Sequence, residues 1–380
     1  MRRAARAGAW GFATILLATM SPEAARGADP DDPTHCPGVI ATGPASYRLT
    51  ADLEACSVAP TSPVPPITID LDGHTWSNSF VSLTNDGSRL TNGTFDASTV
   101  WIAGSLDHLT IRNGHSFTVE AFGLLTVEDS TFESNEIGLS AYFGSATVQD
   151  SVFRDNNLGV VIGRGSGSVV EKNKFEDNRQ GLLLWDEDTF GSDDVVVQKN
   201  HFLGNGVGIR VTAQVAVARA RVAGNQVDES DGAGISVDVF CFSGFPCGGQ
   251  GGLVEGNHLR RNGFAVATPG DGDGIRVRGQ DDDLQPVDPT WITLARNQAD
   301  RNADLGIDAP GVSDGGKNRA KFNGDPQQCV GVDCGGPAGK HGEKKKSKGG
   351  AGTQGTARAA AQAAARGAPL SSLLVGLPRH

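Results

Sequence analysis

Aromatic residues make up only 6% of this 380-residue chain, too few bulky side chains for one large globular core. The 52 glycines and the 38% hydrophobic share suit a quasi-one-dimensional core instead, in which small and β-branched residues stack unit on unit. No apolar run is long enough to cross a bilayer; the longest candidate, Ala9 to Met20, is too short and argues against a membrane span. Arg2, Arg3 and Arg6 precede that stretch, and Ala25-Arg26-Gly27 places small residues at a signal-peptidase spacing. Residues 1–27 therefore read as a cleaved signal peptide, and the protein as secreted, periplasmic or on the cell surface. No cysteine follows the apolar stretch to mark a lipoprotein. The formal charge of −11 is uneven, because both ends of the chain are net positive and the body is more acidic than the whole. Such a body repels phosphates, which argues against nucleic acid as its main ligand.

Metal-binding cysteine motifs are also missing. The six cysteines lack CxxC spacing, and His35, His74, His108, His115, His201 and His258 show no ligand spacing. No metal site and no cofactor are therefore expected, with calcium kept open by the acidic clusters Asp186-Glu187-Asp188, Asp193-Asp194 and Asp281-Asp282-Asp283. In an oxidising compartment the cysteines read as disulfides. They fall as three close pairs, Cys36 with Cys56, Cys241 with Cys247 and Cys329 with Cys334; local pairing is the simplest connectivity, though sequence leaves others open.

What is present is a repeat. Val127, Phe132, Asn135, Gly138 and Leu139 recur as Val148, Phe153, Asn156, Gly159 and Val160. The pattern continues through Val170, Phe175, Asn178 and Gly181, and through Val197, Phe202, Asn205 and Gly208. It weakens near Val222 and Asn225, then returns at Val254, Leu259 and Asn262 and at Leu294, Ala299 and Asn302. A period near 21 residues is that of a solenoid. Alternation such as Gly208-Ile209-Arg210-Val211 marks strands, and no run has the length or period of a helix. Leucine-rich repeats have a similar period but demand leucine at set places, where this chain uses valine, phenylalanine and isoleucine. Ser130, Ser151, Asn173, Asn200, Asn257 and Asn297 occupy a further equivalent position, expected at a bend requiring left-handed backbone. With the Asn135 to Asn302 series they form two ladders of small polar side chains, read as stacked turn residues rather than a ligand site.

These residues resemble the parallel β-helix repeat of the pectin-lyase-like superfamily, as found in secreted bacterial proteins. Ile67 to Trp76, with its Asp72-Gly73 turn, is similar to an early coil of such proteins, and Asn318 to Cys334 to their closing segment. The resemblance covers roughly residues 36–334 and implies an all-β, right-handed parallel β-helix with disulfide-stapled ends. The architecture serves lyases, hydrolases, epimerases, adhesins and metal-delivery accessories, so it does not choose among functions.

The expected organisation is a signal peptide (1–27), an N-terminal cap (28–66) with Pro60, Pro63, Pro65 and Pro66, a β-helix (67–334), and a disordered basic tail (335–380) rich in Gly, Lys and Ala. The repeat spacing expands between Asn225 and Asn262 and between Asn262 and Asn302, where long loops are placed to carry function.

For catalysis, Asp271 and Asp273 in Gly-Asp-Gly-Asp-Gly are the nearest match to the paired acids of polygalacturonase-like hydrolases, but the accompanying Asn-Thr-Asp, Gly-His-Gly and Arg-x-Lys motifs are absent. The alginate-epimerase acid-histidine signature is absent too, and a polar turn is the competing reading of the Asp-Gly pairs. For binding, the strand after each repeat glycine alternates faces. Leu139, Val160, Leu182, Ile209, Ile235, Ile275 and Ile307 are expected inside. Two solvent stripes are expected outside: Ser140, Val161, Leu183, Arg210, Ser236, Arg276 and Asp308, beside Tyr142, Gly163, Trp185, Thr212, Asp238 and Arg278. Trp185, Arg210, Asp238, Arg276 and Arg278 are the candidate ligand residues, an apolar face to stack a sugar and charges to orient it; the resemblance implies saccharide along such a sheet. The sequence thus reads as a monomeric binder of a polysaccharide or cell-surface glycan, with a polysaccharide lyase or glycoside hydrolase, and a structural or adhesive surface protein, as alternatives.

Overall fold

The computed structural model describes residues 32–60, 65–114, 119–141, 144–163, 167–186, 194–213, 219–241, 251–265, 272–281, 283 and 285–335. Residues 1–27, expected to be a signal peptide, residues 336–380, Tyr142, Cys247 and Asp271 lie outside these residues. Among the described residues the only helix is a 3-10 turn, Pro33–His35, and no helix is long and apolar enough to cross a membrane.

The alternation read from the sequence becomes a solenoid of short strands, each pairing in parallel with its equivalent one coil away. Three sheets result. Sheet I runs from Ser46–Leu49 through Ser145–Gln149 and Val196–Gln198 to Ser313–Gly316. Sheet II runs from Leu53–Glu54 through Thr131–Glu133 and His201–Leu203 to Arg319–Lys321. Sheet III includes Ile137–Ala141, Leu158–Ile162, Gln180–Asp186, Val207–Ala213, Ile235–Cys241, Ile275–Asp281, Ile307–Asp308 and Cys329–Val330. In the early coils the long strands Phe80–Asp96 and Thr99–Arg112 pass through all three sheets. The architecture is a parallel β-helix.

Each sheet turns one row of side chains inward. Val127, Val148, Val170, Val197, Val222, Val254 and Leu294 are in register in sheet I and buried. Phe132, Phe153, Phe175 and Phe202 stack in sheet II with centroids 4.6, 5.0 and 4.5 Å apart and rings within 11° of parallel. Isolated aromatic pairs favour offset or edge-on contact; here the strand spacing of about 4.8 Å holds the rings face to face. The repeat glycine makes room for them, since a Cβ at Gly159 would stand 3.2 Å from the Phe175 ring and 2.5 Å from the Gly181 carbonyl. In sheet III the seven residues expected inside, Leu139 to Ile307, form one fully buried row in register.

The polar ladders lie inside the bends, where they satisfy backbone groups that would otherwise be buried unpaired. Asn200 Oδ1 accepts from the Asn173 backbone N–H at 2.9 Å, while Asn200 Nδ2 donates to the Val170 carbonyl at 2.8 Å. The same linkage joins Asn135, Asn156, Asn178 and Asn205, and again Asn262, Asn302 and Asn323. The left-handed residue of each bend differs from the expectation. It precedes the ladder residue, as Asp129, Asp150, Lys172, Lys199 and Arg296 before Ser130, Ser151, Asn173, Asn200 and Asn297. The preceding residue absorbs the left-handed geometry with its side chain exposed, which frees the ladder residue to turn inward.

Both ends carry a disulfide. Cys36 and Cys56 are bridged with Cα atoms 5.8 Å apart, and Cys329 and Cys334 with Cα atoms 6.1 Å apart. Cys241 is disulfide-bonded as well. Val39–Gly43 pairs antiparallel with Ser46–Leu49, covering the first edge of sheet I.

Candidate functional site

The candidate ligand residues converge on the outer face of sheet III. Parallel register aligns Trp185 with Thr212, Asp238 and Arg278 on successive coils, and Leu183 with Arg210, Ser236, Arg276 and Asp308 beside them. Sheet geometry spaces these neighbours by about 4.8 Å, so residues far apart in sequence become a continuous strip.

A charge network organises the strip. Asp238 lies between two arginines, with its Oδ2 3.2 Å from Arg210 Nε and its Oδ1 3.8 Å from an Arg276 guanidinium nitrogen. Ser236 donates its hydroxyl to Asp238 at 3.2 Å and accepts from Arg276 at 2.9 Å. The three charged side chains are largely buried, and Arg278 is exposed at the edge. Pairing at this depth holds the guanidinium groups in place, which suits them to bidentate contacts with carboxylates or hydroxyls. The expected solvent stripes are corrected at three positions: Ser140 and Val161 in the first coils and Ser236 two coils beyond the Gln180–Asp186 strand lie on the outer face yet are buried. Trp185 and Leu183 on the Gln180–Asp186 strand are half-buried, as are Arg210, Thr212 and Arg276 on later coils.

Asp273 stands just before the Ile275–Asp281 strand, in the place that Ile137, Leu158 and Val207 take in earlier coils. It is fully buried. One carboxyl oxygen accepts from the Leu305 backbone N–H at 3.0 Å, and the other has no hydrogen-bond partner among the described residues. Burial pushes its pKa up to about 7, with the Asp308 and Asp304 charges adding to the rise; the Leu305 bond and Arg276 oppose it. A carboxyl titrating near neutrality is what general acid–base chemistry uses, but a catalytic acid must also touch its substrate, and this one has no exposed surface.

Other expectations resolve differently. Asp281 accepts backbone N–H groups from Asp283 and Gln285 at 3.0 and 2.7 Å, so its carboxylate closes its own turn. Asp194 pairs with Arg219 at 3.2 Å. The histidine spacing concealed one cluster: coil stacking brings Asp107, His108 and Asp129 together, with candidate ligand atoms within 4.8 Å of one another. Arg89 already neutralises Asp107 at 2.6 Å, and a mixed nitrogen and oxygen set does not match the all-oxygen shell of calcium.

A model of the right-handed β-helix region matches residues 80–243. No curated protein matches the chain. Solved structures similar to it include a double mutant of the periplasmic alginate epimerase AlgG, at 14% identity over 78% of this chain and 79% of that one, with a TM-score of 0.49. The A-module of the mannuronan C-5 epimerase AlgE6 of Azotobacter vinelandii gives 14% identity over 77% and 89%, with a TM-score of 0.39. The catalytic unit of a thermostable α-1,3-glucanase from Streptomyces thermodiastaticus gives 12% over 76% and 62%, with a TM-score of 0.40. The fold is a right-handed parallel β-helix, and the family model of that repeat covers residues 80–243 of it.

Proposed function

We propose that the outer face of sheet III binds a polysaccharide lengthwise, without cleaving it, in an extracytoplasmic compartment. The observation that carries this reading is the in-register strip in which Trp185 adjoins the Arg210–Asp238–Arg276 network, with Arg278 exposed at its edge. An indole face stacks on the apolar face of a sugar ring, and prealigned guanidinium groups meet its hydroxyls or carboxylates. The disulfides favour an oxidising compartment. Asp273, the one described member of the expected acid pair, is closed off from a ligand on this face, which favours binding over bond cleavage.

The test is a polysaccharide panel that includes alginate and α-1,3-glucan, assayed for binding, for reducing ends and for unsaturated products, with and without calcium. Retention without products is the expected outcome. Product release that is lost in Asp273→Asn would replace it with the lyase or hydrolase reading, and neither retention nor products would leave a structural or adhesive role.

A further inference from the structure

We propose that a second concavity, at the bend between sheets II and III, is a binding site for an uncharged saccharide, separate from the sheet III face. Its volume is about 570 Å³, within the roughly 300–1,000 Å³ of small-ligand sites, and it is lined by Glu229, Ser230, Asp231, Arg261, Phe264 and Arg301 among others.

The site arises from two departures from the repeat. The inner ladder is asparagine at Asn135, Asn156, Asn178, Asn205, Asn262, Asn302 and Asn323, but serine at 230. Ser230 donates its backbone N–H to Asn262 at 3.0 Å, so the ladder resumes on that side. Its side chain is too short to complete the rung toward Asn205; the residue is 1% exposed and its hydroxyl has no hydrogen-bond partner among the described residues. Like the other ladder side chains this hydroxyl faces the interior, so it marks a gap in the ladder rather than a ligand contact, and the accessible groups of the bend are its exposed neighbours.

The second departure is the long excursion that leaves the coil after Asn262. Gly263 lies so close to Gly272 that a Cβ on it would stand 2.0 Å from the Gly272 Cα, and its N–H donates to the Ser230 carbonyl at 2.7 Å. This pinch sets the following Phe264 beside the bend with 69% of its surface exposed, an uncommon placement for a large apolar ring.

Coil stacking supplies the charges. Glu229, Arg261 and Arg301 follow residues paired across three successive coils, all with left-handed backbone (φ 59, 56 and 57°), and their exposed side chains border the concavity. Glu229 and Arg261 pair at 2.6 Å. The side chains of Arg301 and Asp231 have no partner among the described residues. The accessible lining therefore combines an apolar platform, one guanidinium and one carboxylate without described partners, and an ion pair, with balanced charge. An uncharged sugar, with an apolar ring face and hydroxyls that both donate and accept, matches that set; an anionic sugar would gain from Arg301 but be repelled by Asp231.

The experiment titrates the full chain with maltohexaose, laminarihexaose, chitohexaose and hexagalacturonate by calorimetry, in wild type and in Phe264→Ala, Arg301→Ala and Trp185→Ala. At least one of the three neutral hexasaccharides should bind, with affinity falling at least about fivefold in Phe264→Ala and in Arg301→Ala and unchanged in Trp185→Ala. Phe264 and Arg301 are exposed, so the melting temperature should stay constant. Absence of neutral hexasaccharide binding, or binding that survives Phe264→Ala, overturns the site. Binding lost only in Trp185→Ala overturns it while supporting the sheet III face, so the two proposals fail separately.

Discussion

Asp273 shows how one buried side chain couples stability to pH. In the folded chain its carboxyl holds a proton up to about pH 7, because burial and the nearby Asp308 and Asp304 disfavour the anion. Unfolded, it releases that proton near pH 4. The folded state therefore binds more protons between these values, and the stability this group contributes is full below about pH 4 and lost as pH rises through about 7. Asp273→Asn keeps the shape and removes the titration. Its melting temperature should match wild type near pH 4 and exceed it by roughly 3–6 °C at pH 8. Equal melting temperatures at pH 8 would show that the carboxylate finds compensation on ionising. Asp273 was legible in sequence as an acid of interest. Its burial was not, because an Asp-Gly pair reads as an exposed turn until the long excursion before it is placed.

At the scale of the strand and the bend, the recurring valines, phenylalanines and asparagines were legible because each occupies one invariant place in a coil, so a single register explains all of them. The sheet III strip was legible for the same reason: strand alternation carries Trp185, Arg210, Asp238 and Arg276 to one face once the repeat glycine is located. What alternation does not convey is depth, so Ser140, Val161 and Ser236 read as exposed and are buried. Contacts between coils at the bends were hidden too, since the 21 residues that separate His108 from Asp129 look like distance in sequence and are one coil step in space. The ladders give this scale its test. Asn200→Ala removes the acceptor of the Asn173 N–H and the donor to the Val170 carbonyl, both buried. A loss of about 2–4 kcal/mol by chemical denaturation is expected, with faster hydrogen exchange at the Asn173 amide. A change below about 0.5 kcal/mol would mean that the rung is replaced at no cost.

Over the whole molecule, stability is close to a sum of coil-to-coil interfaces, so the ends matter most. The final sheet III strand, Cys329–Val330, pairs with Ile307–Asp308 and is stapled by the Cys329–Cys334 bridge. A chain ending at Gly335 keeps every described pairing and should retain its β-type circular dichroism, with a melting temperature within about 2 °C of the full chain. A larger fall would assign residues beyond 335 a part in the fold. Binding along the sheet III strip is tested by the equilibrium affinity of the protein for a retained polysaccharide, compared among wild type, Trp185→Ala, Arg278→Ala and Arg210→Ala, with melting temperatures recorded in parallel. About tenfold weaker binding is expected for Trp185→Ala and a smaller loss for exposed Arg278→Ala, at constant melting temperature. Arg210→Ala should bind more weakly and also melt a few degrees lower, because Asp238 loses a partner. Affinity unchanged in all three variants would contradict binding along the strip.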